Sequence, residues 1–502
     1  MADAKSRSGV QVNTHPYENF QGLDTSRDIT SLDTGKKQHL SGIVNATCDW
    51  RGQIVRDAAC KPRFTEGIIK HLRFFAPNEI CWASQTGVSI DLVSDRSHRL
   101  DDVYPRNANV SSTVFDKAVV FTSKGWPVYR YNGIKFERNQ SPAVNDLKPG
   151  FAASVQRRLA FAGIPGRETQ VHLSRVDNDS IFPDDEDESS TNVLRAGYID
   201  IGNILGTADQ ITGIGAFEQN RMAVFTADRT IIYRIDPDID KWVIDENANI
   251  NIGCASHNTI ANAGTDLIFC SRSGVHSIKR SEDNGILVFS YSLSDKIDIL
   301  YRELFASVED AQSISAVFDQ DNAEYHIFFP QPGGILCKRL TLAMNPEGQQ
   351  SEPKFSQGDF LNARCGAFLA GKLAFGTSGG VYDVLDVESE DEDAFTPSME
   401  VTTPLLWHGS LTDTKDTNSI IIQAAGKGVL QVEAQDLNGR ELGSMMIEVD
   451  DQPDDNFFRD VPLSKQYERK WNHRYKAAQY KFKSVGGTGL LRLIGFAVTT
   501  RK

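Results

Sequence analysis

Apolar positions in this chain come in short runs separated by turn residues, and one arrangement keeps returning. An apolar strand enters a Ser/Thr/Gly turn and a second apolar strand leaves it. Ile80-Cys81-Trp82-Ala83-Ser84-Gln85-Thr86-Gly87-Val88-Ser89-Ile90 shows the pattern, and so does Leu267-Ile268-Phe269-Cys270-Ser271-Arg272-Ser273-Gly274-Val275. Leu373 to Tyr382, Val119 to Gly125 and Met222 to Tyr233 follow the same grammar, and looser copies begin at Leu159 and Tyr325. Self-similarity recurring every 40 to 60 residues or so predicts a β-propeller, in which each blade buries its faces against its neighbours. Six to eight blades are expected over residues 46–395. Gly87, Gly274 and either Gly379 or Gly380 are expected to occupy turns that need positive φ.

Other patterns set the remaining organisation. Residues 1–45 are polar and read as an extended arm ending in a first strand. Asn45 to Ile54 reads as the first short hairpin. Helical periodicity is rare; residues 294–304, with Ile297, Leu300, Tyr301 and Leu304 in register, predict a helix between blades. After about residue 396 the strands lengthen and alternate, as in Ser419-Ile420-Ile421-Ile422-Gln423-Ala424, which predicts a small β-sandwich over 396–502. The fold class is therefore all-β, a propeller followed by a sandwich.

Charge narrows the function. The 502 residues carry a formal net charge of −14, opposite to the basic balance of proteins that hold nucleic acid tightly. Two acidic runs stand out: Asp184, Asp185, Glu186, Asp187 and Glu188, and then Glu390, Asp391, Glu392 and Asp393. Runs of this density read as solvated loops, the second also as a linker. The seven cysteines are scattered, odd in number and without Cys-x-x-Cys spacing, so they read as buried thiols. The N-terminus shows no apolar signal segment, and no apolar stretch is long enough for a transmembrane helix. The expectation is a protein made in a cytoplasm, with no membrane insertion by this chain.

Catalytic motifs are missing. The chain has no phosphate-binding loop, no His-Glu-x-x-His and no Gly-x-Ser-x-Gly. Residues 177–188 imitate an EF-hand loop, but Ile181 and Phe182 stand where a side-chain oxygen and the turn glycine belong. Ser281 to Gly285 is one incomplete copy of a sialidase-type turn box. No catalytic residue, cofactor or metal ligand is nominated. The C-terminal stretch interleaves Lys465, Arg469, Lys470, Arg474, Lys476, Lys481 and Lys483 with Tyr467, Trp471, Tyr475, Tyr480 and Phe482. It reads as a half-buried strand with a basic outer face, with a nucleic-acid surface or a subunit interface through Arg474, Lys476, Lys481 and Lys483 as alternatives.

Three segments together resemble the tail nozzle or tail hub proteins of short-tailed bacteriophages. The first runs from Gly22-Leu23-Asp24 through Asn45 and Gly52 to Pro62. The second is Arg158-Leu159-Ala160-Phe161-Ala162-Gly163 with Ser174, Asp177 and Phe182. The third is Gly253-Cys254-Ala255-Ser256 leading to Gly274-Val275-His276. Asp24 stands where the family commonly has Asn, and Lys61-Pro62-Arg63 replaces the usual Arg-Pro-Gly. The resemblance implies a structural virion protein, a homohexameric ring docked on portal and adaptor rings and on tail fibre or tail tip proteins. That ring would surround the DNA ejection channel and pass double-stranded DNA without tight binding. The acidic runs are placed near that channel by charge alone. Two alternatives stay open: a propeller glycosidase acting on envelope polysaccharide, and a monomeric propeller interaction module.

Overall fold

A computed structural model describes residues 12–29, 38–65, 67–95, 98–139, 141–185, 192–205, 209–218, 220–245, 251–264, 266–280, 287–289, 292–333, 336–345, 352–386, 391, 393–408, 412–450, 465–487 and 490–501. The chain forms two compact units. One holds residues 62–340 and 361–384, and the other holds 1–61, 341–360 and 385–502.

The first unit is a β-propeller. Blade one is Ile68–Ala76, Glu79–Thr86, Ser89–Ser94 and Arg99–Pro105. Blade two starts at Ser111–Phe115, blade three at Phe151–Val155, blade four at Ile211–Phe217 and blade five at Ala261–Ala263. Each of these five is a separate four-stranded meander. A sixth four-stranded sheet, here blade seven, contains Cys365–Leu369, Lys372–Gly376 and Val381–Val384, and takes its outer strand from Cys60–Phe64 at the other end of the propeller sequence. Between blades five and seven, Ser315–Asp319, Glu324–Pro330 and the start of Cys337–Ala343 fill the blade-six position. Inner strands follow one another around the axis and close from Cys365–Leu369 onto Ile68–Ala76. All seven hairpins read from the sequence are the second and third strands of these seven blades.

The recurring Ser/Thr has a physical job. At the end of the second strand its hydroxyl closes the turn. Thr226 Oγ1 accepts from the Arg229 N–H at 3.1 Å, Ser271 Oγ accepts from Ser273 at 3.0 Å, and Thr377 Oγ1 accepts from Gly379 at 3.0 Å. The carbonyl of the same residue then receives the chain entering the next blade: Cys254 N–H donates to Thr226 O and Ile69 N–H to Thr377 O. Blade faces are apolar and pack pairwise. Phe121 and Tyr131 belong to the layer between blades one and two, and Val171, Ile214 and Ile231 to that between three and four. The expected helix is present as Asp298–Ala306, and Tyr301 on it is buried with its hydroxyl donating to Ser271 O at 2.6 Å.

The second unit is organised by one strand of 22 residues, Lys415–Asp436. Its first half pairs with Lys465–Lys470 and Leu491–Arg501, its second with Glu441–Asp450 and Ala478–Ser484. The change of partners falls at Gly426 and Gly428. Phe482 and Phe496, from the two layers, meet with ring centroids 5.1 Å apart. The N-terminal segment is not a free arm. Val12–Glu18 pairs residue by residue with Leu491–Arg501, and Tyr17 stacks on Phe496. The hairpin of Ala46–Cys48 and Ile54–Arg56 also joins this unit, through Val55 opposite Arg492. The propeller thus begins at residue 62 and not 46, and it ends at 384 and not 395. Apolar alternation shows that a segment is a strand but not which sheet takes it.

Candidate functional site

The axis of the propeller holds a cavity of about 590 Å³, lined by the inner strands of all seven blades. That is the size of a small-molecule pocket. Its walls alternate hydroxyls and amides with apolar side chains such as Phe75, Val114 and Phe318.

One end of the cavity is crossed by the connection between blades four and five. Asn258 Nδ2 donates to Val110 O at 2.9 Å, beside blade two, on the far side of the ring from blade five. His257 Nδ1 accepts from the Ile214 N–H at 3.3 Å in blade four. Its other ring nitrogen engages the Ala152 backbone in blade three, so the ring is a neutral tautomer donating from Nε2. Ser256 Oγ donates to Gln312 O, and Asn109 Nδ2 reaches Asp310 at 2.7 Å. A turn bonded to blades two, three and four and to the approach to blade six must pass over the axis.

Two imidazoles stand at the cavity wall. Burial, with Arg73 and His257 nearby, holds His71 at about 3, and burial holds His257 at about 4. His71 Nε2 lies 2.7 Å from Ser112 Oγ. Among the described lining residues Arg73 is the single permanent charge. Its surface is open to the lumen, yet protein surrounds it and lowers its pKa from the usual arginine value.

The residues nominated from the sequence lie elsewhere. Asp184 and Asp185 form a short turn before the outer strand of blade three, away from the propeller axis; Asp184 pairs with Arg167 at 2.9 Å, and Asp185 accepts from the Phe182 N–H. Asp391 pairs with Lys61 at 2.7 Å and is held below the usual carboxylate range by that bond. Asp393 donates its N–H to Asp391. Glu186, Asp187, Glu188, Glu390 and Glu392, and the box at 281–285, lie outside the described residues. Asp177 and Asp179, at the EF-hand-like positions, are taken by Arg157 and Arg130. No metal-binding group of His, Cys, Asp and Glu occurs among the described residues.

In the C-terminal unit the alternation holds. Tyr467, Trp471, Tyr475, Tyr480 and Phe482 point into the core, so these rings cannot stack on bases. Arg474, Lys476 and Lys483 are exposed. Lys481 is paired with Glu400 at 2.5 Å, which removes it from a free interface. All seven cysteines are free and buried, and burial pushes the thiols of Cys254, Cys270, Cys337 and Cys365 up to about 12. The axial cavity itself was missed in the sequence. Its lining is a short run from each of seven inner strands far apart in sequence, and no local motif marks them.

No family model matches the chain, and no curated protein matches it. Solved structures similar to it include virginiamycin B lyase from Staphylococcus aureus, 10% identical, covering 65% of this chain and 98% of that one with a TM-score of 0.41. The WD40 β-propeller domain of Doa1 is 9% identical over 67% and 97% of the two chains, TM-score 0.36. The extracellular domain of a putative hybrid two-component system from B. thetaiotaomicron is 11% identical over 86% and 61%, TM-score 0.41. The likeness is one of fold, and this chain is a β-propeller on the strength of its own blade-by-blade strand pairing.

Proposed function

We propose that this chain is a structural, ring-forming protein of the kind that serves as nozzle or hub of a short phage tail. The observation that carries the reading is how the resembling segments are used: they hold the architecture together. Asn45 sits at φ +53, accepts from the Asp359 and Phe360 N–H groups and donates to Asp359 and Ser398. Gly52 has φ +85, and a Cβ there would lie 2.5 Å from Asn19 Oδ1. Arg158 is fully buried and donates to the carbonyls of Ser174, Arg195 and Pro237. A scaffold places its distinctive residues this way.

The cavity constrains where DNA would run. At about 590 Å³, and crossed by Asn258, the lumen of one propeller has no room for a duplex. The ejection channel of this reading is the axis of a ring of copies. The net charge of −14 favours passage without adhesion. Imaging of the purified protein, alone and with portal and adaptor rings, tests the proposal. A ring, sixfold by resemblance, is expected in at least the second sample; a monomer in both overturns it. Duplex DNA titrated at 50 and 200 mM salt should bind more weakly than micromolar at both.

A hydrolase reading has one observation in its favour, the His71–Ser112 pair at 2.7 Å. A base held at about 3 is far from the operating pH at which general bases work well. The described cavity lining also supplies no carboxylate for a glycosidase pair. Labelling of Ser112 by a fluorophosphonate would revive this alternative.

A further inference from the structure

The propeller lumen holds a cation with no visible counter-charge. Arg73 lies in the inner strand of blade one, Ile68–Ala76, and lines the cavity. Among the described residues no carboxylate or other acceptor pairs with it, although the chain carries 67 acidic residues. Arginines elsewhere in the propeller show what a structural role looks like here. Arg158 donates to three carbonyls, and Arg63 and Arg221 each contact two carboxylates. Arg73 has been left out of such an arrangement.

A guanidinium that faces the lumen without a protein acceptor keeps its five N–H donors free for a ligand. No neighbouring group among the described residues takes them: the nearby His257 is held by backbone groups and His71 by Ser112. The guanidinium fork matches a planar carboxylate or a phosphate in two parallel hydrogen bonds. Elsewhere on the cavity wall, Ser154, Asn262 and Gln320 are exposed and offer further hydroxyl and amide donors. Phe75 and Phe318 supply apolar wall for a short carbon skeleton.

We propose that the axial cavity of the propeller binds a small oxyanion, a carboxylate or a phosphate, through Arg73. The site is independent of the assembly reading above and stands or falls separately from it. A ligand of a few carbon atoms fits the volume, and the guanidinium fork favours the paired oxygens of a carboxylate or phosphate over a spherical halide.

The test is a melting titration of the full chain with inorganic phosphate and with succinate, each against chloride at equal ionic strength. Arg73→Gln and Arg73→Lys are run beside wild type. Wild type should show a saturable rise of at least about 3 °C with one of the two oxyanions, at one ion per chain by calorimetry. Arg73→Gln should lose that rise while melting no lower than wild type in chloride, because an unpaired charge has been removed. Arg73→Lys should keep a smaller rise, since the charge remains and the fork does not. A response to phosphate alone assigns a phosphorylated ligand, and one to succinate alone a carboxylic acid. Absence of both responses in wild type overturns the site. So does a rise that persists in Arg73→Gln, or a lower chloride midpoint or failed folding in that variant, which would make Arg73 structural.

Discussion

Gly274 closes the central hairpin of blade five at φ +147, and a Cβ there would lie 2.4 Å from Ser292 Oγ and 2.5 Å from Ser294 Oγ. Both the backbone angle and the contact exclude a branched side chain. Gly274→Val should lose about 2 kcal/mol or more in chemical denaturation; an unchanged midpoint would show that the turn rearranges freely. Protonation is the second residue-scale lever. Burial holds His71 and His408 at about 3 and His172 and His257 at about 4, against an ordinary 6.5. The unfolded chain takes up protons below 6.5 that the native chain refuses. The stability these groups contribute is therefore present at neutral pH and is lost as pH falls from 6.5 toward 4. At pH 5 each costs about 2 kcal/mol relative to pH 7. The melting midpoint should fall steeply between pH 7 and 5, and less steeply in His257→Gln.

At the scale of elements, two devices build the propeller. One is the Ser/Thr-closed turn. Thr377 Oγ1 accepts from Gly379 and donates to Gly380 O at 3.1 Å. Thr377→Val keeps the shape and removes both bonds, so it should cost about 1–2 kcal/mol; no change in midpoint would make the hydroxyl incidental to the repeat. The other is the closure of the ring. Arg63, on the N-terminal outer strand of blade seven, bonds Asp383 in the same blade at 2.8 Å and Asp95 in blade one at 3.1 Å. Burial raises Asp95 to about 6 despite Arg63. Its sign is opposite to that of the histidines: the native chain holds this proton more tightly, so stability is lost as pH rises from about 4 to 6. The midpoint of Asp95→Asn minus that of wild type should therefore grow over that window. Arg63→Ala leaves two carboxylates facing each other and should cost about 2–3 kcal/mol at pH 7. A midpoint difference that is flat with pH would remove Asp95 from this account.

At the scale of the whole molecule, surface charge decides what can assemble. Lys476 and Lys483 are exposed, whereas Arg474 pairs with Asp416 at 3.7 Å and Lys481 is bound to Glu400. Lys476→Glu with Lys483→Glu should weaken ring formation more at 50 mM than at 300 mM salt. Lys481→Glu should instead lower the midpoint, because it faces Glu400 and sits opposite Glu433 in the ladder. Equal assembly of the double variant and wild type at both salts, by light scattering, would exclude this face from the interface.

The sequence by itself determined the β-propeller, because the repeat is local. Each central hairpin is written in a short stretch of consecutive residues, and in blades four, five and seven the same hydroxyl closure forms, at Thr226, Ser271 and Thr377. It determined the inward aromatics of Ala478–Ser484 for the same reason, since period-two alternation fixes the face of a side chain. Only tertiary structure decided where strands went. Nothing near Val12–Glu18 announces that it pairs with Leu491–Arg501, and nothing near Arg63 announces Asp383 and Asp95. Only tertiary structure, too, revealed the axial cavity and the unpaired Arg73. A lumen is made of short runs contributed by seven blades, and its chemistry exists only once the ring has closed.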